Sequence, residues 1–474
     1  MTRHSPPGTA SVPFVVRGHV TEGIGHTRHG VDRVDRAGRA DRTAPDLNAL
    51  DLNELVWPGS TPVPLASVPV AEIIELLAEV GDWARRDPDG VLAQALDRLV
   101  EISGASRPLA ERSYAELWRY FSRDLSRFQL EQELGGEDVL DSWRSLTVPG
   151  AAKPSFVKAF PARMVHVLAG NAPGVAAISI VRSALVKGAS LLKMASNDLF
   201  TAPALLRGVS AVAPGHPLEQ SLSAVYWPGG DETVESVLMR PQFFDKLIVW
   251  GGADAVRGVA RYVTPGLDLV SFDPKTSISF IGKEAFADGA DLQGVAAAAA
   301  TDATIHNQDA CTASRFQFVE GSVDEVDRFC AALVRELGVE RPKAAARSAP
   351  VPEDLRDEID ALRHLAPYYR VWGAPDGTGL VIRSEEPVSF YPSGRVVNVV
   401  PVSGPKDVVD YINAATQTVG VYPDRLRAEL RDQLCGIGVQ RVTSLGQAGD
   451  TVIGLPHDGF YPLSRMVRWA KDES

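Results

Sequence analysis

From Val70 onward the apolar positions recur at helical spacing. Ile73, Leu76, Leu77, Val80 and Trp83 form one stripe, Pro88, Asp89 and Gly90 break it, and Val91 to Ile102 resumes it. A third helical stretch carries Leu117, Trp118, Phe121 and Leu125, and its aromatics read as core packing. Near residue 160 the texture changes. MVHVLAG, SLLKMAS, LSAVYWPGG and KLIVWGG are short apolar runs, each ending in a turn and followed by a helical stretch. Strand–turn–helix repetition predicts a parallel sheet covered on both faces, with ligands in the turns beyond the carboxyl ends of its strands. A second α/β region starts near Thr276, with the strand SISFIG, an Ala-rich helix from Gly294 to Thr304 and the stretch SRFQFVEG. Ser322 and Glu325 then open a helix as a capping box. Arg347 to Asp354 reads as a loop, and VVNVVPV and RVTSLGQ as later strands. The fold class is α/β, without an internal repeat.

The first 50 residues differ. HTRHGVDRVDRAGRADRTAPD mixes charges with almost no apolar content, so this stretch is expected to be largely mobile. Val12 to Val20 is the exception and reads as one strand. The arginines suggest a polyanion-binding arm, but the interspersed aspartates favour a solvated tail.

Composition narrows the function classes. The 474 residues are 45% hydrophobic and 23% charged, as in a globular enzyme of two or three domains. Lys and Arg total 48 against 60 Asp and Glu, so a net charge of −12 argues against a nucleic-acid partner. Cys311, Cys330 and Cys435 show no CxxC pairing, which indicates neither zinc nor a disulfide framework. No apolar run reaches the ~20 residues of a membrane span, and no secretory-type apolar core is expected at the start. The expected location is the cytoplasm.

Cys330 keeps step with Val326, Phe329 and Leu333 on an apolar helix face, and reads as a small buried hydrophobe. Cys435 precedes Gly436 at a helix end, where a structural role is also favoured. Cys311 lies in HNQDACTASRF, a polar connection with no apolar periodicity, and is a candidate nucleophile. Asn171, in VLAGNAPGVAAI, either caps the following helix or offers its amide to an oxyanion. Gly251 and Gly252 end a strand before a helix, where they form a plain tight turn or let backbone N–H groups approach a phosphate.

Together these pieces resemble the aldehyde dehydrogenase superfamily, and within it the LuxC-type fatty acyl-CoA reductases. The carriers are HVLAGNAP, LLKMAS, WGG, NQDACTASRF, YPSGRVVNVVPV and GLPHDGFYPLSRMVRW, in that order from about Phe160 to Trp469. The resemblance implies an aldehyde dehydrogenase-like fold with a Rossmann-like cofactor domain and an α/β catalytic domain. Its implied divisions are a flexible segment over 1–50, a helical part of the cofactor domain over 51–150 and the nicotinamide-binding domain over 151–275. The catalytic domain then runs over 276–445, with a return segment over 446–474. By position, Cys311 matches the nucleophile, Asn171 the oxyanion donor, Lys193 the residue that contacts the adenosine ribose, and Gly251 and Gly252 the turn against the cofactor phosphates.

Two departures shape the expected activity. Relatives that oxidise aldehydes carry a Glu that activates water, where this chain has Ser271 in SFDPK. Serine is no general base at neutral pH, so an acyl-enzyme should resist hydrolysis. Glu284 or Asp273 could substitute only without support from spacing. Ser196 stands where NAD-preferring relatives carry a Glu that repels a 2′-phosphate, which favours NADPH over NADH. The implied reaction is reduction of an acyl-CoA or acyl-carrier-protein thioester to an aldehyde. A homo-oligomer and an acyl-transferring partner enzyme are the implied associations. The alternatives are an aldehyde dehydrogenase, a cysteine acyltransferase or thioesterase without nicotinamide, and a silent scaffold. His306 near Cys311 reads as packing or solvent-facing, and His457 in PHDG as a structural turn.

Overall fold

The computed structural model describes residues 10–22, 42–43, 47, 51–150 and 152–473. The rest of the segment expected to be mobile lies outside them. The chain divides into two compact units, one of Met1–Asp273 with Ile453–Ser474, the other of Pro274–Val452.

The first unit is built on a seven-stranded sheet. Its outer strands are β1 (Pro13–Val16) and β2 (His19–Glu22), which form an antiparallel hairpin with Val16 opposite His19. This corrects the single strand expected over Val12 to Val20. Arg17 and Gly18 both have positive φ (48° and 87°), as a two-residue hairpin turn requires, and the chain folds back there. Five parallel strands follow: β3 (Arg163–Val167), β4 (Ala189–Lys193), β5 (Leu222–Val225), β6 (Lys246–Trp250) and β7 (Asp268–Phe272). The order is β7-β6-β3-β4-β5-β1-β2. The chain therefore steps outward from β3 through β4 and β5, then returns to β3's other side as β6. The strand order reverses between β3 and β6, the crevice in which open α/β sheets take ligands.

The helices around this sheet follow the apolar pattern. In α1 (Val70–Arg86) the stripe is buried apart from half-buried Leu76, and Ile73 and Ile74 are fully so, each worth about 1.5–3 kcal/mol. The third helical stretch is not continuous. A 3-10 turn over Leu117–Phe121 ends at Ser122, whose Oγ caps α2 (Arg123–Leu134), so Leu125 belongs to a new element. The crossover helices are α3 (Gly174–Leu185), α4 (Thr201–Val212), α5 (Glu232–Leu238) and α6 (Ala253–Ala260). A separate antiparallel sheet joins Arg144–Leu146, Ser155–Phe160 and Arg468–Glu473.

The second unit holds another seven-stranded sheet. Its strands are β8 (Thr276–Ile281), β9 (Ser314–Glu320), β10 (Tyr369–Ala374), β11 (Gly379–Ser384), β12 (Val396–Val402), β13 (Thr416–Tyr422) and β14 (Arg441–Ser444). Their order is β10-β11-β12-β9-β8-β13-β14, parallel except for β10 against β11. One face packs on α7 (Leu292–Ala303) and α8 (Val323–Leu337), with Ala296, Ala299, Phe329 and Leu333 buried. The opposite core holds Phe280, Phe318, Val400 and Val421 with Leu434. Strands covered on both faces have no solvent side, which is why they read as continuous apolar runs. Ser322 and Glu325 form the expected capping box at α8. Among the described residues no helix is long and apolar enough to cross a membrane.

Candidate active site

The turns beyond β3, β4 and β6 gather five of the six nominated residues at one edge of the first sheet. Val167 pairs with Lys193 and with Val249, so these strands end level. Asn171 lies exposed in the turn after β3. Pro173, not Asn171, holds the N-cap position of α3. Ser196 is exposed in the turn after β4. The two turns interlock, because a Cβ on Gly170 would lie 1.8 Å from Asn197 Oδ1 and 2.9 Å from Ala195 Cβ. A side chain at 170 would force them apart.

Lys193 is buried, with its ammonium 5.8 Å and 5.9 Å from the rings of Tyr226 and Trp227 beyond β5. Burial lowers its pKa to about 8, partly opposed by the charge of Glu235. Glu235 in turn accepts from Trp227 Nε1 (3.3 Å) and Gly230 N (3.1 Å). Gly252 is the N-cap of α6, and a Cβ there would meet open space. The first N–H groups of α6 are thus approachable at the crevice, as an anion requires. An Asp254 in that first turn, paired with Arg257, tempers the charge.

Aromatic residues close the β6 and β7 side. Trp250 and Phe272 end those strands and stack with centroids 3.6 Å apart, and the His457 ring meets both edge-on at 5.5 and 5.0 Å. Ser271, half-buried on β7, pairs in register with Val249 and sets no carboxylate there.

Cys311 lies in the second unit, exposed, three residues ahead of β9. In a parallel sheet that is the amino edge, so the carboxyl-end rule does not find it. Its carbonyl accepts from Ser277 Oγ (2.8 Å), and the same Oγ accepts from Thr418 N (3.3 Å), tying the segment to β8 and β13. His306, Asn307 and Gln308 just before it all have positive φ (49°, 57° and 78°). Three successive non-glycine residues in this region are strained and need outside support. Asn307 Oδ1 accepts from Arg395 Nη2 (2.8 Å) and Ala345 N (3.0 Å), and Gln308 Nε2 donates to Val396 O (2.8 Å). Arg395, fully buried, also donates from Nη1 to the carbonyls of Leu337 (2.9 Å) and Ala346 (3.0 Å).

Arg315 and Arg441 lie near enough to Cys311 to interact with it electrostatically, and the sequence reading named neither. Arg315 is buried beneath Tyr391 (4.4 Å to the ring centre) and donates to Pro392 O (2.6 Å) and to Gln308 O. Arg441 donates to Ala448 O (2.6 Å) and Asp450 O (2.8 Å). Fixed cations near a thiol favour its thiolate. Arg315 follows Cys311 by four residues and was open to suspicion, whereas Arg441 is brought in by the sheet. Buried Asp302 accepts from Gly446 N and Ala448 N (2.8 Å each), holding the Arg441 loop, and burial raises its pKa to about 7. Burial also lowers the pKa of half-buried His306.

Cys330 is buried on α8, and burial pushes its thiol well up, so it is inert. Cys435 sits exposed near the end of the helix Asp424–Gly436. Glu284 pairs with Arg425 beyond the carboxyl end of β8, while Ser277 beside Cys311 is at its amino end. The span from Ser277 to Ile281 alone is roughly 13 Å, too far for Glu284 to serve Cys311. A surface cavity of about 760 Å³ lined by Lys283, Glu284, Glu320 and Asp407 lies at that same far edge. It is remote from the chemistry.

Comparison with known proteins bears on the fold and the family. A family model described as acyl-CoA reductase (LuxC) matches residues 65–469. The chain is 29% identical over 348 residues to a protein of Vibrio harveyi named long-chain acyl-protein thioester reductase, covering 73% of this chain and 70% of that one. In structure it is similar to an NAD-dependent benzaldehyde dehydrogenase from Corynebacterium glutamicum, with a TM-score of 0.70, 15% identity and 98% of each chain covered. It is also similar to an NADP-dependent glyceraldehyde-3-phosphate dehydrogenase from Bacillus halodurans C-125 complexed with NADP, with a TM-score of 0.65, 14% identity and 92% and 93% covered. The fold is aldehyde dehydrogenase-like, and the chain belongs to the acyl-CoA reductase (LuxC) family.

Proposed function

We propose that this protein reduces an acyl thioester to an aldehyde through an S-acyl intermediate on Cys311, with NADPH as the reductant. The carrying observation is an exposed cysteine on a braced segment, within the field of Arg315 and Arg441. The thiolate attacks the thioester carbonyl, the Asn171 amide donates to the resulting oxyanion, and the carrier thiol leaves. A bound nicotinamide supplies the hydride that converts the acyl group to an aldehyde. When the aldehyde departs, the same guanidinium groups stabilise the returning thiolate.

The residues at the first sheet's edge suit such a cofactor. Lys193 would meet the ribose, and the open N-terminus of α6 at Gly251 and Gly252 would take the phosphates. Ser196, neutral and exposed, leaves room for a 2′-phosphate, which supports NADPH. Ser271 leaves the acyl-enzyme without a general base at that position, favouring reduction over hydrolysis. The name of the Vibrio harveyi relative favours a protein-borne thioester as donor, with acyl-CoA as the simpler substitute. A carrier protein or a partner enzyme would deliver the acyl group to a homo-oligomer of this chain.

The test is aldehyde formation from acyl-CoA and acyl-carrier-protein panels with each nicotinamide, beside Cys311→Ala. Aldehyde matched by NADPH oxidation, falling at least ~10³-fold in the variant, is expected. Unchanged turnover in Cys311→Ala would sink the mechanism. Release of carrier thiol without NADPH oxidation would instead point to an acyltransferase or thioesterase.

A further inference from the structure

The first unit contains a buried polar cluster that the proposed chemistry does not use. Ser126, Gln129 and Glu133 share one face of α2, and Ser179 and Arg182 share one face of α3. All five are buried. Ser126 Oγ, both amide atoms of Gln129, Glu133 Oε1, Ser179 Oγ, and Nε and Nη1 of Arg182 have no hydrogen-bond partner, nor do His166 Nδ1 and Trp250 Nε1. Such atoms are scarce in folded proteins, so this many on facing surfaces point to a polar group received from outside.

Arg182 sits at the centre. It is only 3% exposed, and its charge acts on Glu133, Tyr120 and His166. It forms no ion pair with Glu133, whose Oε2 is taken by Leu463 N (2.5 Å) while Oε1 stays unmatched. The guanidinium carbon lies 6.0 Å from the Trp250 ring and 5.8 Å from the Phe272 ring, which end β6 and β7 at the crevice edge. The cluster also reaches the other side of the crevice. Tyr120 packs so closely on Gly174 that a Cβ there would lie 2.2 Å from its hydroxyl, and Gly174 is three residues beyond Asn171. Along α3, Arg182 is eight residues past Gly174, about 12 Å, and its side chain leans back toward the helix start.

Resting on the proposed thioester reduction, we propose that Arg182, Gln129 and Glu133 form a subsite for a hydroxyl group on the acyl chain of the substrate. A hydroxyl accepts from Arg182 and the Gln129 amide while donating to Glu133 Oε1, which meets both halves of the mismatch. A plain alkyl chain would leave the same atoms unmatched. Sites built to bond a substrate hydroxyl discriminate strongly against analogues that lack it.

The test compares NADPH-linked turnover of acyl-CoAs of equal length, unsubstituted or hydroxylated at successive carbons. We expect one hydroxyl position to raise kcat/KM at least about tenfold over the unsubstituted chain. That preference should collapse toward unity in Gln129→Leu and in Arg182→Met, with Gln129→Leu as the milder change should Arg182→Met fail to fold. A profile independent of hydroxyl position, or a preference unchanged in Gln129→Leu, overturns the proposal. A Gln129→Leu protein that melts higher with unaltered preference would likewise assign the cluster to packing alone. If neither acyl-CoA nor acyl-carrier-protein thioesters yield aldehyde, the reaction reading fails by itself, and calorimetric binding of hydroxy fatty acids decides the subsite. Binding by the wild type and its loss in Gln129→Leu would support it, and no binding would overturn it.

Discussion

Lys193 shows how burial turns an ordinary side chain into a titratable contact. Its ammonium is held at the end of β4 against two aromatic rings, and burial brings its pKa down to about 8. The charged form, which can donate three hydrogen bonds, therefore dominates below pH 8 and is lost above it. If Lys193 holds the cofactor ribose, KM for NADPH should rise by up to about tenfold between pH 7 and 9. In Lys193→Met the KM should be higher throughout and flat over that range. A wild-type profile that stays flat would remove Lys193 from cofactor binding. Residue chemistry of this kind was partly legible beforehand. Cys311, Asn171 and Lys193 stand in short motifs that can be read in line. Arg441 lies 130 residues from Cys311, and Arg182 was one more position on an apolar helix, so neither carried a local signal.

Among the elements, the left-handed run His306–Gln308 presents opposing terms whose sizes decide the outcome. A glycine at 307 would relieve a positive φ, worth up to about 1 kcal/mol and less for Asn than for most residues. The same change removes one of two acceptors of Arg395 Nη2 and the acceptor for Ala345 N. Leaving one buried guanidinium N–H and Ala345 N unmatched costs about 1–3 kcal/mol, so Asn307→Gly should be destabilising by about 1–2 kcal/mol overall. The urea midpoint of the variant checks this, and an increase would show that backbone strain dominates. Strands buried on both faces were the most legible elements, because MVHVLAG or VVNVVPV has no other comfortable environment. The misread elements turn on single residues. Arg17 and Gly18 reverse a strand, and Ser122 restarts a helix inside an unbroken apolar pattern.

For the molecule as a whole, acid–base behaviour enters through Asp302 in the second unit. Its folded pKa is about 7, raised by burial from an ordinary value near 3.8. Between these values the folded state holds a proton that the unfolded state has lost, so stability falls as pH rises from about 4 to 7. The contribution is fully present below pH 4, gone above pH 7, and on the order of a few kcal/mol. Asp302→Asn cannot titrate but keeps one acceptor for the Arg441 loop. Denaturation of the wild type and this variant from pH 5 to 8 should show the wild type losing stability relative to Asp302→Asn. A pH-independent difference between them would refute the assignment.

The first unit is discontinuous, since its last piece, Ile453–Ser474, follows the whole of Pro274–Val452. A ribosome adding residues in order therefore finishes the cysteine-bearing unit before the first unit can close. The bond from Leu463 N to Glu133 joins positions 330 residues apart and can form only after residue 463 has emerged. Until then α2 presents Gln129 and Glu133 without their C-terminal cover. Synthesis thus leaves the hydroxyl-reading surface unsealed until the whole cysteine-bearing unit has been made.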